Sequence, residues 1–423
     1  MKLRRRIPLL MFMFFIIACT RMPVQFIDIK NPHDRPLIEA CVVIPKSAFH
    51  QTDNSLYPVI INSENQSILL SQIDDLDNNG VWDELALLVS LQTGETFTGR
   101  IKWVHREDYP EFTARTNVYL GKSRMRDGHF TEVREEVFPP DYECRTPYQY
   151  QFEGVGWEND RIAFRTYCDR RNGKDIFGKT IPDMILADIG KTDNYHERQS
   201  WGMDILKVGN SLGIGAVGAV KNGKIFRLAD TRYHDFKIIA EGPVRSIFRL
   251  GFEGWIIDGD TLSANETITI SAGRNGYSNT FEVTGKNIPD TLISGLSMIG
   301  IDGEPESIKI QDWSGISLSG LNDVDEHFLG MAVFTRKAEG FSAGITPKAS
   351  DIYDVESPEY KAVKFHSKIS DTYYLGTSGP AADFFVFTLW EGRYPDIHTS
   401  DLFRKAVQDE ILSITHVPEV VLK

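Results

Sequence analysis

The chain is poor in cysteine: four among 423 residues, and no pair has CxxC spacing. That excludes a disulfide framework as the source of stability. The spacings HxH and HExxH are absent, which excludes the common catalytic zinc sites. No segment after residue 18 is long and apolar enough to span a bilayer. Positive charge is in deficit. The formal net charge of -13 argues against a nucleic-acid partner, whose backbone it would repel. It leaves room for anionic glycans, because a local cluster of arginines overrides the mean field.

What is present begins with an address. Lys2, Arg4, Arg5 and Arg6 form a basic start, and Ile7 to Ala18 is an apolar run too short for a typical span. It ends Ile16-Ile17-Ala18-Cys19, which resembles a bacterial lipobox. Cleavage before Cys19 would leave a lipidated cysteine and a protein anchored to a membrane without crossing it. The expected location is the cell envelope, at the outer membrane, facing the periplasm or the surface. The alternative is an ordinary secretory signal cut a few residues later. The other cysteines, Cys41, Cys144 and Cys168, are odd in number and read as mostly buried free thiols.

The pattern is overwhelmingly strand-like. Short apolar or alternating runs such as Ala40 to Ile44, Leu85 to Leu91, Arg161 to Tyr167, Val244 to Gly251 and Phe384 to Leu389 are punctuated by Gly, Asn, Asp and Pro. Asn222-Gly223 marks a tight hairpin. Only Ser400 to Ser413 reads as a helix, with Ser400 as its N-cap and Leu402, Val407, Ile411 and Leu412 on one face. The expected fold is all-β. A first immunoglobulin-like sandwich covers residues 24–120, a polar connector covers 121–147, and a large two-sheet antiparallel unit runs from 148 to 423.

Four groups of residues carry chemistry. Asp75, Asp77, Asn79 and Asp83 occupy the ligand positions of a calcium loop around Gly80, but Ala86 stands where an EF-hand has Glu. The loop is either a structural calcium site or a hairpin whose side chains cap its own amides. The second group is the charged stretch from Gly156 to Gly209. It interleaves Arg161, Arg165, Asp169, Arg171, Asp175, Asp204 and Lys207 with Trp157, Tyr167, Tyr195 and Trp201. Some of these must be structural ion pairs, because charge at this density is costly to bury unpaired. Others suit an anionic sugar, with Arg as a fork for its carboxylate and a flat ring for its apolar face. Third, His196 and His234 each follow a tyrosine, Tyr195 and Tyr233, and are the histidines best placed for acid–base work. Fourth, the glycine run Gly209 to Gly218 lacks a surrounding βαβ unit. It reads as a strand with close backbone approach rather than a dinucleotide loop.

Trp157-Glu158-Asn159-Asp160-Arg161-Ile162-Ala163-Phe164-Arg165, Asp175-Ile176-Phe177-Gly178-Lys179 and Trp201-Gly202-Met203-Asp204-Ile205-Leu206-Lys207-Val208-Gly209 resemble motifs of a Bacteroidota lipoprotein family long known as a domain of unknown function. Gly242-Pro243-Val244-Arg245-Ser246 and Gln72 to Asp77 are similar to it too. The family is associated with polysaccharide utilisation and includes an ulvan oligosaccharide dehydratase. The large unit is also similar to the galactose-mutarotase-like supersandwich of several polysaccharide lyases. The resemblance implies β-elimination on a uronic acid: loss of the proton at C5 and of the group on C4, with no cofactor required. The roles expected on residue type are Arg165 or Arg161 on the carboxylate, His196 as base, Tyr233 as acid and His234 as its substitute. Arg171 and Lys207 would bind substrate, and Trp157 or Trp201 would stack on the sugar. The alternatives are a glycoside hydrolase using Glu158 and Asp204, and a glycan-binding lipoprotein without catalysis.

Overall fold

The computed structural model describes residues 24–125, 127–139, 142, 149–336, 340–361 and 368–423. The signal segment, Cys19 and Cys144 lie outside these residues. The protein is nearly all β, and its named strand pairs are antiparallel. None of the described helices is long and apolar enough to cross a membrane.

Period-two patterning builds the large unit. In Asp260–Ser271, Leu262, Ala264, Glu266, Ile268 and Ile270 face inward and the intervening residues face outward. That strand lies at the middle of a ten-stranded sheet, between Arg245–Ile257 and Gly276–Gly285. Ala381–Trp390 follows Gly276–Gly285, and Tyr233–Ala240 and Glu135–Phe138 close the other edge. Two five-stranded sheets form the facing layer. One runs Gly202–Asp204, Lys174–Lys179, Ala163–Tyr167, Gly154–Asn159, Thr116–Tyr119; the other is centred on Thr291–Ser297. They meet at a parallel bridge between Lys174 and Gly213. Gly213 has φ +68, and a Cβ there would stand 1.8 Å from the Lys174 carbonyl oxygen. The glycine run is therefore a close backbone approach, as its sequence implies. The core between the layers is apolar, with Trp157 stacked on Phe164 at 5.7 Å and edge-on to Tyr277 at 5.2 Å.

The N-terminal sandwich packs Tyr57–Asn62, Thr96–Val104 and Gln25–Lys30 over Leu37–Pro45, Glu84–Leu91 and Ser71–Asp74. Its boundaries differ from those drawn on the sequence. The last strand, Glu419–Leu422, returns to pair with Gln25–Lys30. Thr116–Tyr119 pairs instead with Gly154–Asn159 of the large unit. Both exchanges are long-range pairings, which local patterning does not encode. The hairpin at Asn222-Gly223 forms, with both residues at positive φ (51 and 73). The helix spans Ser400–Thr415 and is capped by the Thr399 side chain, one residue earlier than expected. Its buried stripe is Phe403, Val407 and Ile411, while Leu402 is exposed. It covers part of the outer face of the ten-stranded sheet.

Two lysines lie wholly inside the large unit. Lys174 reaches across the sandwich to Glu266 at 2.5 Å, and Asn279 donates to the same carboxylate oxygen at 2.7 Å. Lys179 bonds Glu158 at 2.7 Å on the opposite face of its sheet. A buried pair of this kind is costly to break and cheap to replace by well-packed apolar groups. Glu266→Ala is expected to cost about 3–5 kcal/mol in urea unfolding, since it strands the Lys174 ammonium. The double variant Lys174→Met with Glu266→Leu is expected to recover most of that loss.

Candidate functional site

Arg165, Tyr167, Asp175 and Asp204 project from neighbouring strands onto one face of the first five-stranded sheet, the face turned away from the ten-stranded layer. Pairing register places Arg165 directly opposite Asp175, and Phe177 opposite Asp204. The Arg165 guanidinium bonds Asp175 Oδ2 at 2.7 Å and Asp204 Oδ2 at 2.9 Å through Nη2. It also donates to the Tyr167 hydroxyl, the Phe152 carbonyl and the Tyr195 hydroxyl. Only 3% of the Arg165 side chain is exposed. Burial, and then the neighbouring Asp204 carboxylate, push Asp175 up to about 6. The two carboxylates thus meet across a single guanidinium.

The segment between Lys179 and Gly202 folds back over this face. Ile185, Leu186, Ile189 and Trp201 pack on Phe177, and Glu158 accepts the amides of Ile185 and Leu186. Gly202 ends the segment at φ +133; a Cβ there would lie 1.7 Å from the Gly178 carbonyl oxygen. That close approach is why the Trp201-Gly202-Met203-Asp204 motif needs glycine. The same segment carries His196 to the rim. Its Nδ1 stands 3.3 Å from Asp204 Oδ2, its side chain is 64% exposed, and its ring meets Tyr195 at 4.4 Å. The hydrogen bond to Asp204 raises the His196 pKa above its usual value. Its Nε2 makes no bond to any described residue and faces solvent. A buried guanidinium thus fixes a carboxylate, which orients and tunes an imidazole at the surface, an arrangement suited to proton transfer.

The other residues singled out from the sequence lie elsewhere or are already engaged. Trp157 is fully buried between the layers, so it offers no face to a sugar. Trp201 is 9% exposed, with its indole N–H on Asp193. Glu158 is sealed against Lys179, so Glu158 and Asp204 do not form a hydrolytic pair. Arg165 is saturated by its own carboxylates and has no free edge for a substrate. Arg171 is held by Asp169 and Glu153 over the Tyr167 ring. Arg161 pairs at 3.5 Å with Glu39 at the junction with the N-terminal sandwich. Lys207 pairs with Asp323. Tyr233 lies on the outer face of the ten-stranded layer, on the far side of the molecule from His196. His234 points the other way along that strand and is stacked between Phe138 at 4.6 Å and Phe252 at 5.7 Å. Cys168 is buried and Cys41 half-buried.

Arg198, two residues beyond His196, drew no attention in the sequence. It is exposed, lies 5.0 Å over the Trp390 ring and has no acidic partner among the described residues. Gly209 to Gly213 and Gly340 to Gly344 both spell GxSxG, but neither serine is a nucleophile on an elbow. Ser211 is buried and donates to the Val208 carbonyl, and Ser342 begins an edge strand.

Asp75, Asp77 and Asp83 bring carboxylate oxygens within 4.8 Å of one another and are the residues that could hold a cation. Asn79 sits in the same turn, where its Oδ1 accepts the Val81 amide and its side-chain nitrogen donates to Asp77. The carboxylates also cap the loop itself. Asp75 accepts the amides of Asn79 and Gly80, and Asp83 that of Leu76.

Residues 29–420 match the family described as a domain of unknown function (DUF4861), and the chain belongs to that family. Over 176 residues it is 29% identical to Uncharacterized protein P7 of Formosa agariphila, covering 37% of this chain and 43% of that protein. The chain thus spans less than half the length of this relative. Among solved structures, an alpha-mannosidase from Enterococcus faecalis V583 aligns with 95% of this chain and 46% of its own at TM-score 0.46 and 8% identity. A Klebsiella pneumoniae protein described as an aldose 1-epimerase aligns with 71% of this chain and 96% of its own, at TM-score 0.30 and 9% identity. At such scores the likeness has no bearing on activity.

His234 gives this half of the molecule a pH dependence of its own. Burial pushes its pKa from 6.5 down to about 4, so the folded state binds fewer protons than the unfolded state between these values. Its contribution is complete above about pH 6.5 and lost as pH falls through about 4. Urea unfolding at about pH 7.5 and about pH 4.5 is expected to show a smaller loss of stability on acidification in His234→Phe than in the native protein.

Proposed function

We propose that this member of the DUF4861 family is an envelope lipoprotein, anchored through Cys19, that acts on uronic-acid-containing oligosaccharides by β-elimination. The observation that carries the reading is the Asp204–His196 pair: a buried, fixed carboxylate tuning a solvent-facing imidazole. Family membership supports a shared architecture, and the resemblance of its motifs to a polysaccharide-utilisation family supports the substrate class.

In this reading neutral His196 takes the proton from C5 through Nε2. The C5–H electrons form the C4=C5 double bond and the C4–O bond breaks. The imidazolium then returns the proton to the departing oxygen, releasing water from a terminal sugar or the hydroxyl of the next residue. One group serves as base and acid, which removes the need for Tyr233 on the far face. The C5 proton is only weakly acidic until the adjacent carboxylate is neutralised. Arg198 takes that role in place of Arg165, because it is the nearby arginine without an acidic partner among the described residues. Arg165 and Asp175 position Asp204 and do not touch the sugar.

Unsaturated uronates absorb at about 235 nm, so the reaction is read directly in the ultraviolet. The soluble protein lacking residues 1–19 is expected to raise this absorbance on a uronate oligosaccharide, with mass spectrometry separating loss of water from chain cleavage. His196→Ala is expected to lower kcat by about 10²–10⁴-fold. New reducing ends with no absorbance change would replace elimination by hydrolysis. The pH profile adds a check on mechanism. A base must be neutral, so the rate rises with pH through the His196 pKa. Asp204→Asn removes the bond that raises that pKa, so the acidic limb is expected to move to lower pH as kcat falls.

A further inference from the structure

A cavity of about 430 Å³ opens on the outer face of the ten-stranded sheet, where that sheet meets the N-terminal sandwich and the end of the helix Ser400–Thr415. Its floor is the outward row of Asp260–Ser271, Gly276–Gly285 and Ala381–Trp390, which presents Thr269, Ser278 and Asp383. Its size is that of a ligand site for a few sugar rings. It is remote from His196, since the two lie on opposite faces of the two-layered unit.

The chemistry of the walls is selective. Trp313 borders the cavity, and its indole N–H is tied to Thr415 at 2.9 Å, which fixes the ring. Arg336 stands 5.9 Å from that ring, 62% exposed, and among the described residues bonds only Asp312, itself an exposed carboxylate. Exposed pairs of this kind are worth little and exchange readily for another anion. On the inner wall, Arg274 is braced through Nη1 by Ser413 at 2.7 Å and loosely by Glu410 at 3.4 Å. Its Nε and Nη2 hydrogens have no partner among the described residues. The cavity lining thus presents two guanidiniums and one carboxylate, Asp383, while Glu410 and Asp312 pair the guanidiniums from beside it, one loosely and one in an exposed pair. Asp383 already accepts the Thr280 hydroxyl at 2.7 Å, and one of its oxygens is left for a sugar hydroxyl.

We propose that this cavity is a second, non-catalytic binding site for an acidic saccharide. Arg274 and Arg336 take the anionic group, Trp313 lies against the ring, and Asp383 with the Thr and Ser hydroxyls takes the sugar hydroxyls. Fork geometry suits a carboxylate or a sulfate, and the stiff aromatic supplies contact area at low entropic cost. The site stands whether or not His196 performs elimination. It would hold a chain on one face while another part of that chain reaches the opposite one.

Calorimetric titration of the protein lacking residues 1–19, in a His196→Ala background that prevents turnover, tests it. The probes are tetragalacturonate, a sulfated galactan tetrasaccharide and neutral maltotetraose. At least one acidic probe is expected to bind while maltotetraose does not. Arg336→Ala and Trp313→Ala are each expected to weaken that binding by about tenfold or more. Arg336 is exposed, so its variant is not expected to disturb folding. Failure of both acidic probes to bind would overturn the proposal, as would unchanged binding in Arg336→Ala. Neither result touches the elimination reading, which is scored by absorbance on the protein with His196 intact. Binding without any unsaturated product from that protein would overturn elimination and leave this site standing.

Discussion

Arg165 is a cation almost without water, and much of the surrounding architecture keeps it neutralised. A guanidinium buried alone would be too costly to fold. Here it is met by two carboxylates, two tyrosine hydroxyls and a backbone carbonyl. The arrangement requires Asp175 opposite Arg165 in the ladder, Asp204 on the next strand, and a covering segment that brings Tyr195 over the top. Two carboxylates against one guanidinium leave an excess of negative charge. Burial, reinforced by the Asp204 charge, raises the pKa of Asp175, and the hydrogen bond to Asp204 raises that of His196 at the rim. A structural demand inside the sheet thus becomes a chemical property at the surface.

The same economy explains motif segments far apart in sequence. Gln72 accepts the amides of Val244 and Arg245 through its side-chain oxygen and donates to the Arg245 carbonyl. Arg245 in turn forks onto Asp74 and reaches Glu84. Gln72 to Asp77 and Gly242 to Ser246 are therefore two halves of one joint between the N-terminal sandwich and the ten-stranded sheet. Breaking either half would strand the other in a dry interface. Lys174 and Glu266 do similar work between the two layers, at a place where the surrounding core is apolar.

Most strands were legible because period-two patterning and turn residues are local. Asn222-Gly223 and the close approach at Gly213 could be read for the same reason. What was not legible is which face a residue meets. Trp157 and Glu158 are adjacent in a charged, aromatic stretch, yet one lies in the core and the other under the covering segment. Tyr233 and His196 read as partners because both stand beside rich polar sequence. They occupy different layers, because the strand from Tyr233 to Ala240 joins the ten-stranded sheet. Arg198 was invisible for the converse reason: its distinction is that no acid among the described residues pairs with it, a property of the folded surface. Long-range returns, such as Glu419–Leu422 onto Gln25–Lys30, leave no trace in local composition.

The two outer faces divide the chemistry in a way that composition alone conceals. On one, the carboxylates around Arg165 would repel an anionic sugar, so in the proposed reading a substrate carboxylate at His196 would depend on Arg198, which has no acidic partner among the described residues. On the other, Arg274 and Arg336 turn toward a cavity beside a stiff tryptophan, each with a loose or exposed acidic partner, Glu410 and Asp312. A net charge of -13 repels polyanions at long range. Screening shortens that range to about 8 Å at physiological ionic strength, so in the proposed reading a concave surface with two exchangeable guanidinium forks would still capture them. In the proposed reading, separating capture from proton transfer would let each face keep the charge its task requires: the acidic network would not have to be diluted to bind, nor the cavity to react.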